Sequence, residues 1–229
     1  MKKILLLIAL ISFGPKLIAN DLEGPYIGLH TGYLHGFHRD IESYVNAAPD
    51  WCADKLKPKS LVYGMYAGFN KAVNNLLYGI EADAETLTAH ASTNGHTIGS
   101  IDDGYPIRVR YKHTASLRAR LGYILNQGST LLFVTAGRAY ARTCTEFFNE
   151  AGTSVSDRDT RNLYGWTTGF GIEQLLNEKF SIKAEYRYST YDSFLMYNTT
   201  YSGGSPETPT YDKLISRNNS VRVGISYHF

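Results

Sequence analysis

GWTTGFGIEQLLNEKFSIKAEYRYS, residues 165–189, consists of two alternating runs around a short polar break. In the first run Trp166, Thr168, Phe170 and Ile172 alternate with Gly165, Thr167, Gly169, Gly171 and Glu173. In the second, Phe180, Ile182, Ala184, Tyr186 and Tyr188 alternate with Ser181, Lys183, Glu185, Arg187 and Ser189. A period of two marks a strand whose faces meet different surroundings. In a soluble sandwich the apolar face points inward, and in a membrane barrel it points outward at lipid. Either strand alone fits both.

Working outward, six more segments repeat the pattern: YIGLHTGYLHG (26–36), VYGMYAGFN (62–70), LYGIEADAET (77–86), ASLRARLGY (115–123), LLFVTAGRAYA (131–141) and SVRVGISYHF (220–229). That makes eight. The fifth in chain order is the least regular. Its apolar parity (Leu132, Val134, Ala136, Tyr140) puts Arg138 on the lipid side. Either Arg138 snorkels to an interface, or a bulge at Gly137 shifts the register.

The connections separate the two folds. KAVNN (71–75), ILNQGS (124–129) and QLLNEK (174–179) are short, whereas His35–Lys59, Thr88–Arg110, Arg142–Leu163 and Thr190–Asn219 are long and polar. Short turns on one side and long loops on the other are the outer-membrane barrel pattern. An even strand number puts both termini at the short-turn, periplasmic side. Residues 1–19 read as a secretory signal: Lys2 and Lys3, an apolar run from Ile4 to Phe13, and Ala19 before the cleavage point. The apolar run is too short to span a membrane as a helix. Residues 20–229 then form one barrel domain. Losing Lys2, Lys3 and Lys16 leaves 20 basic against 21 acidic residues, which excludes a nucleic-acid-binding charge balance.

GWTTGFGIEQLLNEKFSIKAEYRYSTYD (165–192), with GPYIGLHTGY (24–33) and VRVGISYHF (221–229), resembles small bacterial outer-membrane β-barrel proteins of the opacity-protein and OmpA-barrel-like group. The resemblance implies an eight-stranded, antiparallel, up-and-down transmembrane barrel in the bacterial outer membrane, with long loops at the cell surface. It also implies that the terminal aromatics, Tyr227 and Phe229, carry the signal read by the barrel-assembly machinery. It does not fix an activity, because one fold serves many roles.

An eight-stranded lumen is just wide enough to be filled by side chains. On the polar parity lie five acids (Glu81, Asp83, Glu85, Glu173, Glu185) and five bases (Arg118, Arg120, Lys183, Arg187, Arg222). A selective pore needs an excess of one sign along an open path, so the balance predicts an ion-paired plug. Antiparallel neighbours put Glu81 and Asp83 near Arg118 and Arg120, and Glu185 near Arg222. Catalytic work by these carboxylates is the weaker reading, since structural ion-pair networks also perturb titratable groups.

Cys52 and Cys144 fall in the first and third long loops, and an exported chain meets an oxidising compartment, so a disulfide is preferred to two free thiols. His35 and His38 in the first loop lack the partners of a metal site. No cofactor or metal is expected. Ser, His and acidic residues are present without a triad arrangement. The loops carry Tyr44, Trp51, Tyr197, Tyr201 and Tyr211 among small polar residues, which suits adaptable recognition. The expectation is a monomeric, non-enzymatic structural or surface-recognition protein. Its partners are outer-membrane lipid and lipopolysaccharide, the assembly machinery, and a host or matrix ligand at the loops. A small passive channel is the alternative, and a lipid-modifying enzyme a third reading.

Overall fold

The computed structural model describes residues 19–44, 59–87, 90–92, 107–148, 155–198, 201–202, 205–206 and 210–229. Eight long strands dominate: β1 Gly24–Tyr44, β2 Lys59–Val73, β3 Leu76–Leu87, β4 Ile107–Leu125, β5 Thr130–Phe148, β6 Val155–Leu175, β7 Phe180–Asn198 and β8 Thr210–His228. Each pairs antiparallel with its sequence neighbours, and β8 closes onto β1. Three short strand segments, His90–Ser92, Tyr201–Ser202 and Ser205–Pro206, accompany them. Among the described residues no helix is long and apolar enough to cross a membrane. The crossing is made by strands.

The closure has a defined stagger. From Ile27 the ladder passes through Ala67, Ala82, Leu117, Arg138, Trp166, Thr190 and Arg217 and returns to β1 at Phe37, ten residues further along. Eight strands with that stagger tilt by about 40° from the barrel axis. Tight turns join β2 to β3 and β4 to β5. Asn74 (φ 55°) and Asn126 (φ 51°) take the left-handed conformation there, which Asn tolerates because its short amide bonds locally.

Alternation becomes sidedness. Met65 is 63% exposed and its neighbour Tyr66 only 3%. Ile27, Leu29, Ile80, Leu117, Val134, Phe170, Val223 and Ile225 share the exposed face with Met65. A continuous apolar band that is unpartnered in the protein is what lipid requires. Exposed aromatics flank it: Phe69, Tyr78, Tyr123, Phe180 and Phe229 towards the short-turn end, and Tyr33, Tyr63, Tyr164 and Trp166 towards the other.

Arg138 is settled by the ladder. It is unbroken through Ala136↔Thr168, Gly137↔Thr167 and Arg138↔Trp166, so there is no bulge at Gly137. Arg138 faces outward, exposed, with its guanidinium 4.7 Å from the centre of the Trp166 ring.

The strands run well past the alternating segments, and this corrects several loop assignments. His35 and His38 lie on β1, paired in the ladder with Asn219 and Ser216, and not in a loop. Tyr44, Tyr197 and Tyr211 are likewise strand residues. Trp51 lies outside the described residues. The extensions do not remain one closed wall. The last rung between β6 and β7 is Gly165↔Tyr191. Beyond it β7, β8 and β1 continue together to Asn198, Thr210 and Tyr44, while β4, β5 and β6 continue to Ile107, Phe147 and Asp157. The barrel therefore opens into two ribbons, the second edged by the short segment His90–Ser92, which pairs with Arg108–Arg110 of β4.

Candidate functional site

The inward side chains form three layers. Nearest the short turns, Leu22, Leu77, Ile124, Leu131, Phe133 and Leu175 pack as an apolar cluster. Leu22 comes from a short 3-10 turn, Ala19–Leu22, folded into this mouth, where its carbonyl accepts a hydrogen bond from Asn70 Nδ2 at 3.1 Å. At the opposite end Leu34, Val62, Leu87, Ala139, Ala141, Leu163 and Tyr191 form a second apolar cluster. The charged residues lie between the two.

All ten expected lumen residues are buried in this middle layer. Arg118 reaches three acids at once: Glu81, Asp83 (3.1 Å) and, across the lumen, Glu185. Arg120 pairs with Glu173, and Lys183 Nζ lies 2.8 Å from Glu81. Arg187 touches Asp83 (3.1 Å), Glu85 (3.3 Å) and Glu185 (3.1 Å). Arg222 donates from Nε (2.6 Å) and Nη2 (2.9 Å) to Glu85 in a two-bond clasp. Every acid thus has a cationic partner, the condition under which buried charges are tolerated.

Two details depart from the sequence reading. Glu185 and Arg222 are register partners on β7 and β8. Yet Arg222 pairs with Glu85 across the lumen, and Glu185 with Arg118 and Arg187. Arg120 faces Gly79 in the ladder and reaches Glu173 rather than Glu81 or Asp83. In a narrow barrel a long guanidinium can span to the far wall, so strand adjacency selects the partner for Arg118 and Glu81 but not for Arg120 or Arg222.

Aromatic rings complete the layer, and Tyr26, which the alternation alone does not single out, is one of them. Its hydroxyl donates to Glu81 at 2.8 Å, and its ring stacks on His228 at 5.6 Å. The Tyr66 ring stacks on His30 at 5.6 Å and carries Lys183 Nζ 3.6 Å from its centre. These rings need bare backbone opposite them. A Cβ on Gly28 would lie 2.3 Å from Tyr66 Cζ, and one on Gly68 2.4 Å from the Tyr26 hydroxyl oxygen.

Among the described residues the packing leaves a small void. A cavity of about 10 Å³ lies between the charged layer and the second cluster, among Asp83, Glu85, Arg187, Asn218 and Arg222. Both polar atoms of the buried Asn218 amide lack a partner there. That volume suits about one water molecule.

The family model for the outer membrane protein beta-barrel domain matches residues 4–229. The chain belongs to this family. A 25 kDa outer-membrane immunogenic protein of Brucella canis is 30% identical over 211 residues, 90% of this chain and 78% of that protein. Among solved structures, the outer membrane protein OprG of Pseudomonas aeruginosa superposes with a TM-score of 0.56 at 14% identity, covering 93% of this chain and 99% of that one. The outer membrane protease OmpT of Escherichia coli gives 0.53 at 10% identity, covering 91% and 97%. At such identities the likeness is one of fold. The outer-membrane location follows from the family and its relatives.

Within this family's barrel the remaining expected sites are placed as follows. Tyr227 and Phe229 stand at the short-turn end, their rings edge to face at 5.0 Å, and Phe229 N donates to Pro25 O at 3.1 Å. Cys144 is buried in β5 and carries a free thiol, while its expected partner Cys52 lies outside the described residues. Among the described residues no cluster of His, Cys, Asp or Glu is arranged to hold a metal.

Proposed function

We propose that this outer-membrane barrel is a closed, monomeric support for surface-recognition loops, with neither transport nor catalysis as its role. The observation that carries the reading is the filled lumen: five acids and five bases paired with one another between two apolar layers. Balanced charges satisfy each other rather than a passing ion, and an apolar layer at each mouth opposes a continuous file of water. In this reading residues 1–19 are removed on export, the short turns face the periplasm, and Tyr227 and Phe229 present the assembly signal. The long connections face outward to meet a host or matrix ligand. A Cys52–Cys144 disulfide, formed from the thiol that Cys144 carries in β5, would tie the first long connection to that strand. The Brucella canis relative is named as immunogenic, which accords with a chain exposed at the surface.

Planar-bilayer recording of the purified protein tests closure. The expected record has no steady current, and a steady ion-selective current would put the small passive channel first. Deleting residues 45–58 and 199–209 separately, and measuring adhesion of intact cells to epithelial layers and matrix, tests recognition. Unchanged adhesion with both deletions would remove the loops from the account.

A further inference from the structure

An arginine on a lipid-facing wall needs an anion at its own depth. Arg138 is such a residue. It points out of β5 at the level of the aromatic ring furthest from the short turns, beside Trp166 and next to Tyr140 and Tyr164. Its one ion pair among the described residues is with Asp192, at 4.0 Å and with both side chains more than half exposed. Such a pair contributes little. The guanidinium nonetheless lies over the Trp166 ring, 4.7 Å from its centre. A cation over an indole face is attracted by the ring, and its exposed N–H groups remain donors for a planar or tetrahedral oxyanion.

Arg142 lies on the same face of the same strand, four residues further from the short turns and exposed, opposite Asn162. Four residues of strand set the two Cα atoms about 13 Å apart. Between them Tyr140 is braced, its hydroxyl donating to Asn162 Oδ1 at 2.8 Å and its ring 5.5 Å from that of Tyr164. The surface is thus two exposed cations flanking an aromatic pair, at the edge of the apolar band.

We propose that Arg138 and Arg142 bind the two phosphates of a bisphosphorylated glycolipid of the outer leaflet, whose acyl chains lie against the apolar wall below. One headgroup with two anionic ends matches two cations one headgroup length apart, and the depth matches a lipid rather than a soluble anion. The site rests on the proposed orientation, in which the wall beyond the short turns meets the outer leaflet.

Native mass spectrometry of the detergent-purified protein with lipid A, with its dephosphorylated form, and with inorganic phosphate tests the site. The wild type is expected to retain one lipid A, to bind the dephosphorylated lipid about tenfold more weakly, and to release none to millimolar phosphate. The double variant R138Q/R142Q is expected to lose about tenfold in lipid A retention, and W166L less. K71Q, which removes an exposed cation near the short turns, is expected to bind as wild type. All these positions are exposed, and retention of the heat-modifiable gel shift checks that each variant is folded. Equal retention by wild type and R138Q/R142Q, or no preference for the phosphorylated lipid, overturns the proposal. An epitope placed in residues 199–209 and probed on intact cells reports the orientation separately. If the epitope is sealed from outside while R138Q/R142Q still loses lipid A, the orientation fails and the phosphate chemistry stands.

Discussion

The lumen holds two kinds of interior within a few residues of each other on the same strands. On β5, Leu131 and Phe133 belong to an apolar layer, while Thr135, one step on, bonds Arg118 and Glu185. The apolar layers are local: neighbours fill space, and any side chain of the right volume serves. The charged layer is not. Arg118 on β4 joins acids from β3 and β7, and Arg222 on β8 reaches Glu85 on β3. Deleting one member therefore takes a partner from several at once, whereas deleting an apolar residue leaves a hole.

That difference can be broken by experiment. Arg118→Met leaves Glu81, Asp83 and Glu185 short of a cation and is expected to cost about 3–5 kcal/mol in urea unfolding from detergent. Arg118→Lys should recover little of this, because one ammonium cannot fork to three carboxylates. Leu131→Ala, in the apolar layer, is expected to cost about 3 kcal/mol by the same measurement, and Leu131→Met less than about 1.5 kcal/mol. If Leu131→Met were as damaging as Leu131→Ala, the apolar layer would be as specific as the charged one. Asn218→Leu sits at the seam between the layers. It removes two unpartnered polar atoms and is expected to fall within about 1 kcal/mol of wild type. A loss of several kcal/mol would mean the amide is fully bonded there. Outside the lumen, Asp192→Asn breaks an exposed pair and should change stability by less than about 0.5 kcal/mol.

Strand number and sidedness were legible in the sequence wherever one face meets lipid and the other a packed lumen, because only there must the two parities differ. The ten charged residues were legible for the same reason. Their partners were legible only between neighbouring strands, as where Arg118 meets Glu81 and Asp83: parity gives the face, but the crossing from β8 to β3 depends on the lumen's diameter, which no single strand encodes. The apolar layers were obscured because Leu34, Val62, Leu87 and Leu163 put hydrophobic residues on the polar parity. In LLFV, residues 131–134, both parities are apolar, which is why that segment looked irregular. Beyond Gly165 and Tyr191 alternation gave no guide to pairing, and the strands continued through segments that read as loops.

Those continuations set a height. β1 has 21 residues, and at a rise of 3.3 Å per residue and a tilt of about 40° it climbs about 50 Å along the barrel axis. The apolar band of such a barrel is about 25 Å tall. Roughly half of β1 therefore stands clear of the hydrocarbon, and in the proposed orientation the two ribbons would act as a mast for the connecting segments through the sugar layer. A ligand too large to penetrate that layer would meet the tips of the molecule and never its rim.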